Sequence, residues 1–232
     1  MILADVGDQR ADLDPAVARY FAHALAAGSE QAHGTQLEMR GRIKVGAWLP
    51  FRARWEGDGH SLDWRATVGL GPLALLRVRD YFAAGTGSMD IRLFGRLRVV
   101  HSEDQDTARS AAGRAAAEAA LWSPASLLPE RGVVWRTEAD DHIVASCEVP
   151  PERPEIHIRI DDRGGVRNSW LSRWTSGDVD EPGYVPFGVD VRAERTFGSM
   201  TIASRVAAGW WYGTPRYKPF FEAEISAASP LG

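Results

Sequence analysis

The chain has 232 residues, 44% of them hydrophobic and 25% charged, and a net charge of −4 at neutral pH. It is long enough for a sizeable core and ordinary in composition for a globular protein, and its charge gives no global attraction to nucleic acid. The single cysteine, Cys147, excludes an intrachain disulfide and a cysteine-cluster metal site.

The first residues, Met1-Ile2-Leu3-Ala4-Asp5-Val6-Gly7-Asp8, lack the basic region and long apolar run of a secretory leader. No stretch reaches the roughly 18 apolar residues of a membrane span. A cytoplasmic protein with no transmembrane segment is therefore expected. No linker-like break divides the composition, so one domain is expected over residues 1–232. A helix should open it over about residues 14–28. Asp14 is a capping type, Pro15 suits the first helical position, and Gly28 can stop the run. Val17, Phe21, Ala24 and Leu25 would form its buried stripe.

Strands should follow over about residues 34–100. Leu37, Met39, Ile43 and Val45 share one parity, and Glu38, Arg40, Arg42 and Lys44 the other. The alternation returns in Phe51, Ala53 and Trp55, in Leu62, Trp64, Ala66 and Val68, in Leu76, Val78 and Phe82, and in Met89, Ile91, Leu93, Leu97 and Val99. Side chains on a strand point to opposite faces by turns, so this describes an antiparallel sheet with one apolar and one polar face. Short Gly- and Pro-containing connections, among them Gly69-Leu70-Gly71-Pro72 and Gly85-Thr86-Gly87, imply a meander.

Residues 106–121 are alanine-rich and helix-forming apart from Gly113, with Asp106 as an expected cap. Small side chains would let this helix lie close against a flat surface. Strands should resume over about residues 133–226, with Asp161-Asp162-Arg163-Gly164-Gly165 as a hairpin turn. The fold class expected is α+β: a strongly curved antiparallel sheet of about ten or more strands, a half or nearly closed barrel, with both helices packed on its concave face.

Residues 34–100 hold eleven Lys and Arg against six acids, so the polar face of that sheet should be cationic. It lacks interleaved exposed aromatics, which argues against nucleic acid as a partner. The six histidines show no i,i+2 or i,i+4 pair, so no metal site is expected. No phosphate-binding or dinucleotide motif is present, so no cofactor is expected. The sequence carries no signal of oligomeric state.

Three titratable residues are candidates for acid–base chemistry. Asp80 falls on the apolar parity between Val78 and Phe82, where a carboxylate must be ion-paired, hydrogen-bonded or functional. Glu118 lies on the central helix one turn before Trp122, and His101 ends a strand just before that helix. Trp170 and Trp174 share a parity with Val166, Asn168 and Ser172, a mixture that suits a pocket wall. Trp210-Trp211-Tyr212-Gly213-Thr214-Pro215 is expected to form an aromatic corner that closes the open side of the sheet, a mainly structural role.

Several motifs in this order resemble an uncharacterised bacterial domain family. They are Trp64-Arg65-Ala66, Arg79-Asp80-Tyr81, Gly85-Thr86-Gly87-Ser88-Met89, the helix end Glu118…Trp122-Ser123-Pro124…Leu127-Leu128-Pro129, and Gly209-Trp210-Trp211-Tyr212-Gly213-Thr214-Pro215-Arg216-Tyr217. The resemblance covers roughly residues 15–226 and implies no established activity. The layout is similar to that of bacterial lipoprotein carriers, whose curved sheet wraps a greasy cavity closed by helices. The chain departs from those carriers in lacking a leader and in the alanine content of its central helix.

A sheet this wide should curl and enclose more space than its side chains fill. The function expected is binding of a hydrophobic small molecule or lipid, with Trp64, Phe82, Met89, Ile91, Trp122, Trp170 and Trp174 lining the cavity and Asp80 as polar anchor. One alternative is a cofactor-independent cyclase, isomerase or hydrolase using Asp80, Glu118 or His101. Another is an interaction module using the cationic face, with Arg40, Arg42, Arg77 and Arg79.

Overall fold

A computed structural model describes residues 13–29, 31–70, 73–177 and 181–232. The expected turn at Gly71-Pro72 and the N-terminal residues 1–8 lie outside the described residues. Among the described residues, the alternating segments form thirteen strands of one antiparallel sheet. They are β1 Gly34–Val45, β2 Ala47–Gly57, β3 Leu62–Leu70, β4 Leu73–Ala83, β5 Thr86–Leu93, β6 Leu97–Ser102, β7 Val134–Ala139, β8 His142–Ser146, β9 Glu155–Ile160, β10 Val166–Thr175, β11 Gly183–Phe197, β12 Met200–Trp210 and β13 Phe221–Leu231. The first six run outward from β1 and the last seven outward from β13, and the two meanders join where β1 pairs β13.

Two helices complete the fold, α1 Pro15–Ala24 and α2 Gln105–Trp122. Helix α2 packs against β4 and β5 and also against β9 and β10. Strands β5 and β10 stand eight places apart in the sheet. At about 4.8 Å per strand, a flat sheet would separate them by about 38 Å. A helix is only about 10–12 Å across, so the sheet is curled around α2. Strands β6 and β7 form the two edges, and the curl stays open.

The alanines explain how α2 fits. Ala111, Ala112, Ala115, Ala116, Ala119 and Ala120 are buried, which lets the backbone approach the sheet. Gly87 on β5 serves the same approach: a Cβ there would lie 2.9 Å from Ala108 Cα. Gly85, by contrast, is needed for the turn itself, with φ of 77°. The Tyr20 hydroxyl donates to Ala120 O at 3.1 Å and ties α1 to α2.

Three capping expectations are corrected. Helix α1 ends at Ala24, one turn before Gly28, because Leu25 becomes extended and bridges Met200. Asp14 precedes this helix without a side-chain capping bond. Helix α2 is capped by Asp104, whose carboxylate accepts from Thr107 N at 2.8 Å, and not by Asp106. The cationic face is also less cationic than the local count implies. Arg40 and Arg42 pair with Glu224 and Glu222, which β13 brings from the far end of the chain, and Arg65 and Arg79 share Asp63.

Candidate functional site

A cleft of about 480 Å³ lies between one face of α2 and the inner face of the sheet. Its apolar wall comes from Ile43, Val68, Leu76, Val78, Met89, Ile91, Val100, Val206 and Phe221, with Trp64, Trp122 and Trp210. It opens to solvent beside Val45 and Val100, which line it and are 50% and 41% exposed. Helix α2 contributes residues at helical spacing, from Asp106 and Ser110 to Arg114, Ala117, Glu118 and Leu121.

Asp80 does face this cleft. It sits opposite Trp64 of β3 and Met89 of β5, on the inner parity of β4. It is not alone: Arg114 Nη1 donates to Asp80 Oδ2. The same guanidinium donates through Nε to Glu118 Oε1 at 2.7 Å, one helical turn on. The other Glu118 oxygen accepts from Trp55 Nε1 at 2.5 Å. Burial would lower the affinity of Arg114 for its proton, but Glu118 and Asp80 together outweigh it and hold its pKa above the usual value.

A second arginine enters from the opposite wall. Arg173 of β10 is only 9% exposed and lines the cleft. Among the described residues, no carboxylate pairs with it. Its Nε donates to Ser110 O at 3.0 Å and its Nη2 to Ser110 Oγ at 3.1 Å. Its guanidinium carbon stands 4.9 Å from the Phe187 ring centre and 4.8 Å from that of Trp210. Burial, reinforced by Arg114, pushes its pKa down to about 10, so it remains charged at neutral pH. Gly113 makes the room, since a Cβ there would lie 3.2 Å from Arg173 Cγ.

Of the residues expected to line a pocket, Trp64, Asp80, Met89, Ile91 and Trp122 do line the cleft, and Glu118 joins them. Four do not. Phe82 is 1% exposed in the solid core beside Leu62 and Gly87. His101 stands opposite Asp90, half-exposed between Asp90 and Glu103, while its neighbours on the other parity, Val100 and Ser102, face the cleft. Trp170 and Trp174 leave the inner face because β10 is bulged between Val166 and Asn168. The extra residue reverses the parity, so Ser169, Leu171, Arg173 and Thr175 turn inward instead.

Outside, Trp170 stacks on His157, which is 3.0 Å from His142, and Tyr212 continues the column of rings. The histidine pair was invisible to a search by sequence spacing because cross-strand pairing creates it. Trp174 packs against Tyr184 and Arg109 and donates to Asp106 at 3.0 Å. Within the aromatic corner, Trp210 turns to the cleft while the Tyr212 hydroxyl donates to Asp190 at 2.8 Å. Among the described residues, no three His, Cys, Asp or Glu side chains gather as a metal site requires. Nor, among them, is any helix long and apolar enough to cross a membrane.

An open, curled sheet with a helix-covered apolar cleft defines the class. Residues 11–229 match DUF6920, a family of unknown function, and the chain belongs to that family. No curated protein matches the sequence. Among solved structures, a LolA superfamily protein from Nitrosomonas europaea is similar, at 6% identity and a TM-score of 0.50, over 94% of this chain and 92% of that one. A domain assigned to outer membrane lipoprotein sorting from Vibrio parahaemolyticus is 6% identical over 85% of both chains, with a TM-score of 0.46. A DUF1329 family protein from Desulfovibrio piger is 11% identical over 86% of both, with a TM-score of 0.39. At such identity, the first supports a likeness of fold alone.

Proposed function

We propose that the protein binds a hydrophobic small molecule or lipid in the cleft between α2 and the inner sheet face. The observation that carries this reading is the cleft itself: about 480 Å³, walled mostly by aliphatic and aromatic side chains and open to solvent. Sites for small ligands have this size and lining, about 300–1,000 Å³ with a few placed polar groups. The layout shared with a LolA superfamily protein supports it as a likeness of fold. An enzyme reading has a weaker footing, because Asp80 and Glu118 are both held by Arg114 and neither is presented alone to the cleft.

Titration with an uncharged fluorescent probe, N-phenylnaphthylamine, tests the reading. Saturable enhancement is expected for the native protein, reduced by about tenfold or more in affinity for Val78→Trp, whose indole would occupy the cleft. Absence of saturable binding by the native protein would overturn it.

A further inference from the structure

We propose that the ligand of this cleft is an amphiphile whose head is an acidic oxygen group, a carboxylate or phosphate monoester on an aliphatic tail, and that Arg173 receives that head. The inference rests on the binding function proposed above and deepens it. Its support is the state of Arg173. A guanidinium has five N–H donors in a planar fork. Two nitrogens are tied to the single residue Ser110, through its carbonyl and its hydroxyl. Among the described residues, that leaves both Nη1 hydrogens and one on Nη2 without a protein acceptor. The two Ser110 bonds and the rings of Phe187 and Trp210, both lining the cleft, hold the fork in place before a ligand arrives. A planar fork of free donors matches a carboxylate or phosphate.

A second donor in the same wall is also unpaired. Trp64 is 4% exposed, lines the same cleft, and its Nε1–H finds no acceptor among the described residues. A buried donor without a partner is costly, and such donors are rare. That nitrogen is sealed from solvent, so the unsatisfied donors that a ligand can reach in the cleft are those of Arg173.

The acidic side chains do not invert this preference. Asp80, Glu118 and Asp106 line the cleft, but Arg114 bonds to the first two, Trp55 takes the second Glu118 oxygen, and Trp174 donates to Asp106 Oδ1. A cationic head would find Asp80 and Glu118 engaged by Arg114, whereas an anionic head finds Arg173 open. Gly113 points the same way. Glycine is unfavourable within a helix, and here it gives passage to the Arg173 stem. The aliphatic residues Ile43, Val68, Leu76, Val78, Ile91 and Val100 then provide the wall for a tail.

The test is calorimetric titration of the full chain with palmitate, hexadecyl phosphate, hexadecanol and hexadecyltrimethylammonium, each below its aggregation limit. At least one of the two anions should bind about tenfold or more tightly than hexadecanol, about 1.4 kcal/mol. Which anion wins separates a fatty acid from a phosphate head. Arg173→Met should bring the preferred anion down to the affinity of hexadecanol, and Arg173→Lys should restore part of the difference. Hexadecanol or the cation binding as tightly as the better-bound anion would overturn the head-group inference and leave the binding function standing. Failure of all four to bind would sink both.

Discussion

Two arginines line the cleft, and they keep opposite company. Arg114, on the β4 side, is ion-paired to Asp80 and Glu118. Arg173, on the β10 side, meets a carbonyl, a hydroxyl and two aromatic faces. Burial acts on both, but the balance differs: Arg114 ends above its usual pKa, and Arg173 below it. The contrast separates two uses of a buried cation. One fastens a helix to a sheet, and the other is left with spare donors at the surface of a cavity.

The largest effect should come from separating these uses by mutation. Arg114→Met leaves two carboxylates buried without their counter-ion, and breaking a buried pair in this way costs about 3–5 kcal/mol. Arg173→Met removes a buried cation that has no acidic partner, so its stability should stay within about 1 kcal/mol of native. Urea denaturation of both variants measures the difference. Equal losses would erase the distinction between the two walls.

A smaller effect is expected where α2 meets β5. Gly87→Ala places a methyl 2.9 Å from the Ala108 backbone and 3.0 Å from Thr107 O, neither of which can rotate away. Overpacking of this kind costs about 1–3 kcal/mol. Gly113 is different, because its close neighbour is the flexible stem of Arg173. The β4–β5 wall is therefore the rigid one. A Gly87→Ala variant as stable as the native chain in the same denaturation experiment would show that α2 can shift on it.

The β4–β5 wall is also the part of the site that was legible in the sequence. From Leu37 to Ile91 the apolar parity holds, and it placed Trp64, Asp80, Met89 and Ile91 on the inner face before any coordinates. The β10 wall was not legible. Reading Val166, Asn168, Trp170 and Trp174 as one face assumes an unbroken strand, and the bulge after Val166 breaks it. The same fault put Val99 inside: β6 has one extra residue where it pairs Ile91 and Arg92, so Val100 faces the cleft, while Leu97 stays opposite Leu93 near the strand end and is 64% exposed. A bulge adds one residue and leaves no mark in hydrophobicity. Two signals for the missed arginines were nevertheless present. Arg114 and Glu118 stand at i,i+4, and Gly113 interrupts a run of strong helix formers.

The smallest effect is expected on the far side of the β10 wall, where His157 stacks on Trp170 and is hydrogen-bonded to His142. Burial lowers the pKa of both histidines. Arg159 adds to the effect on His142, and His142 adds to the effect on His157. The unfolded chain, with histidines near the usual value of about 6.5, then binds more protons than the folded one between that value and the depressed folded values. Stability must rise with pH across that window and fall as the solution is acidified through it. Replacing His157 with Gln removes one of the two titrating rings, so the thermal midpoint should fall less steeply between about pH 7 and pH 5. The preference for an anionic head should be unaffected, because this column of rings does not line the cleft. A steeper fall in the variant would mean that the histidines gain protons on folding, and a lost preference would mean that the outer column positions Arg173 through the strand they share.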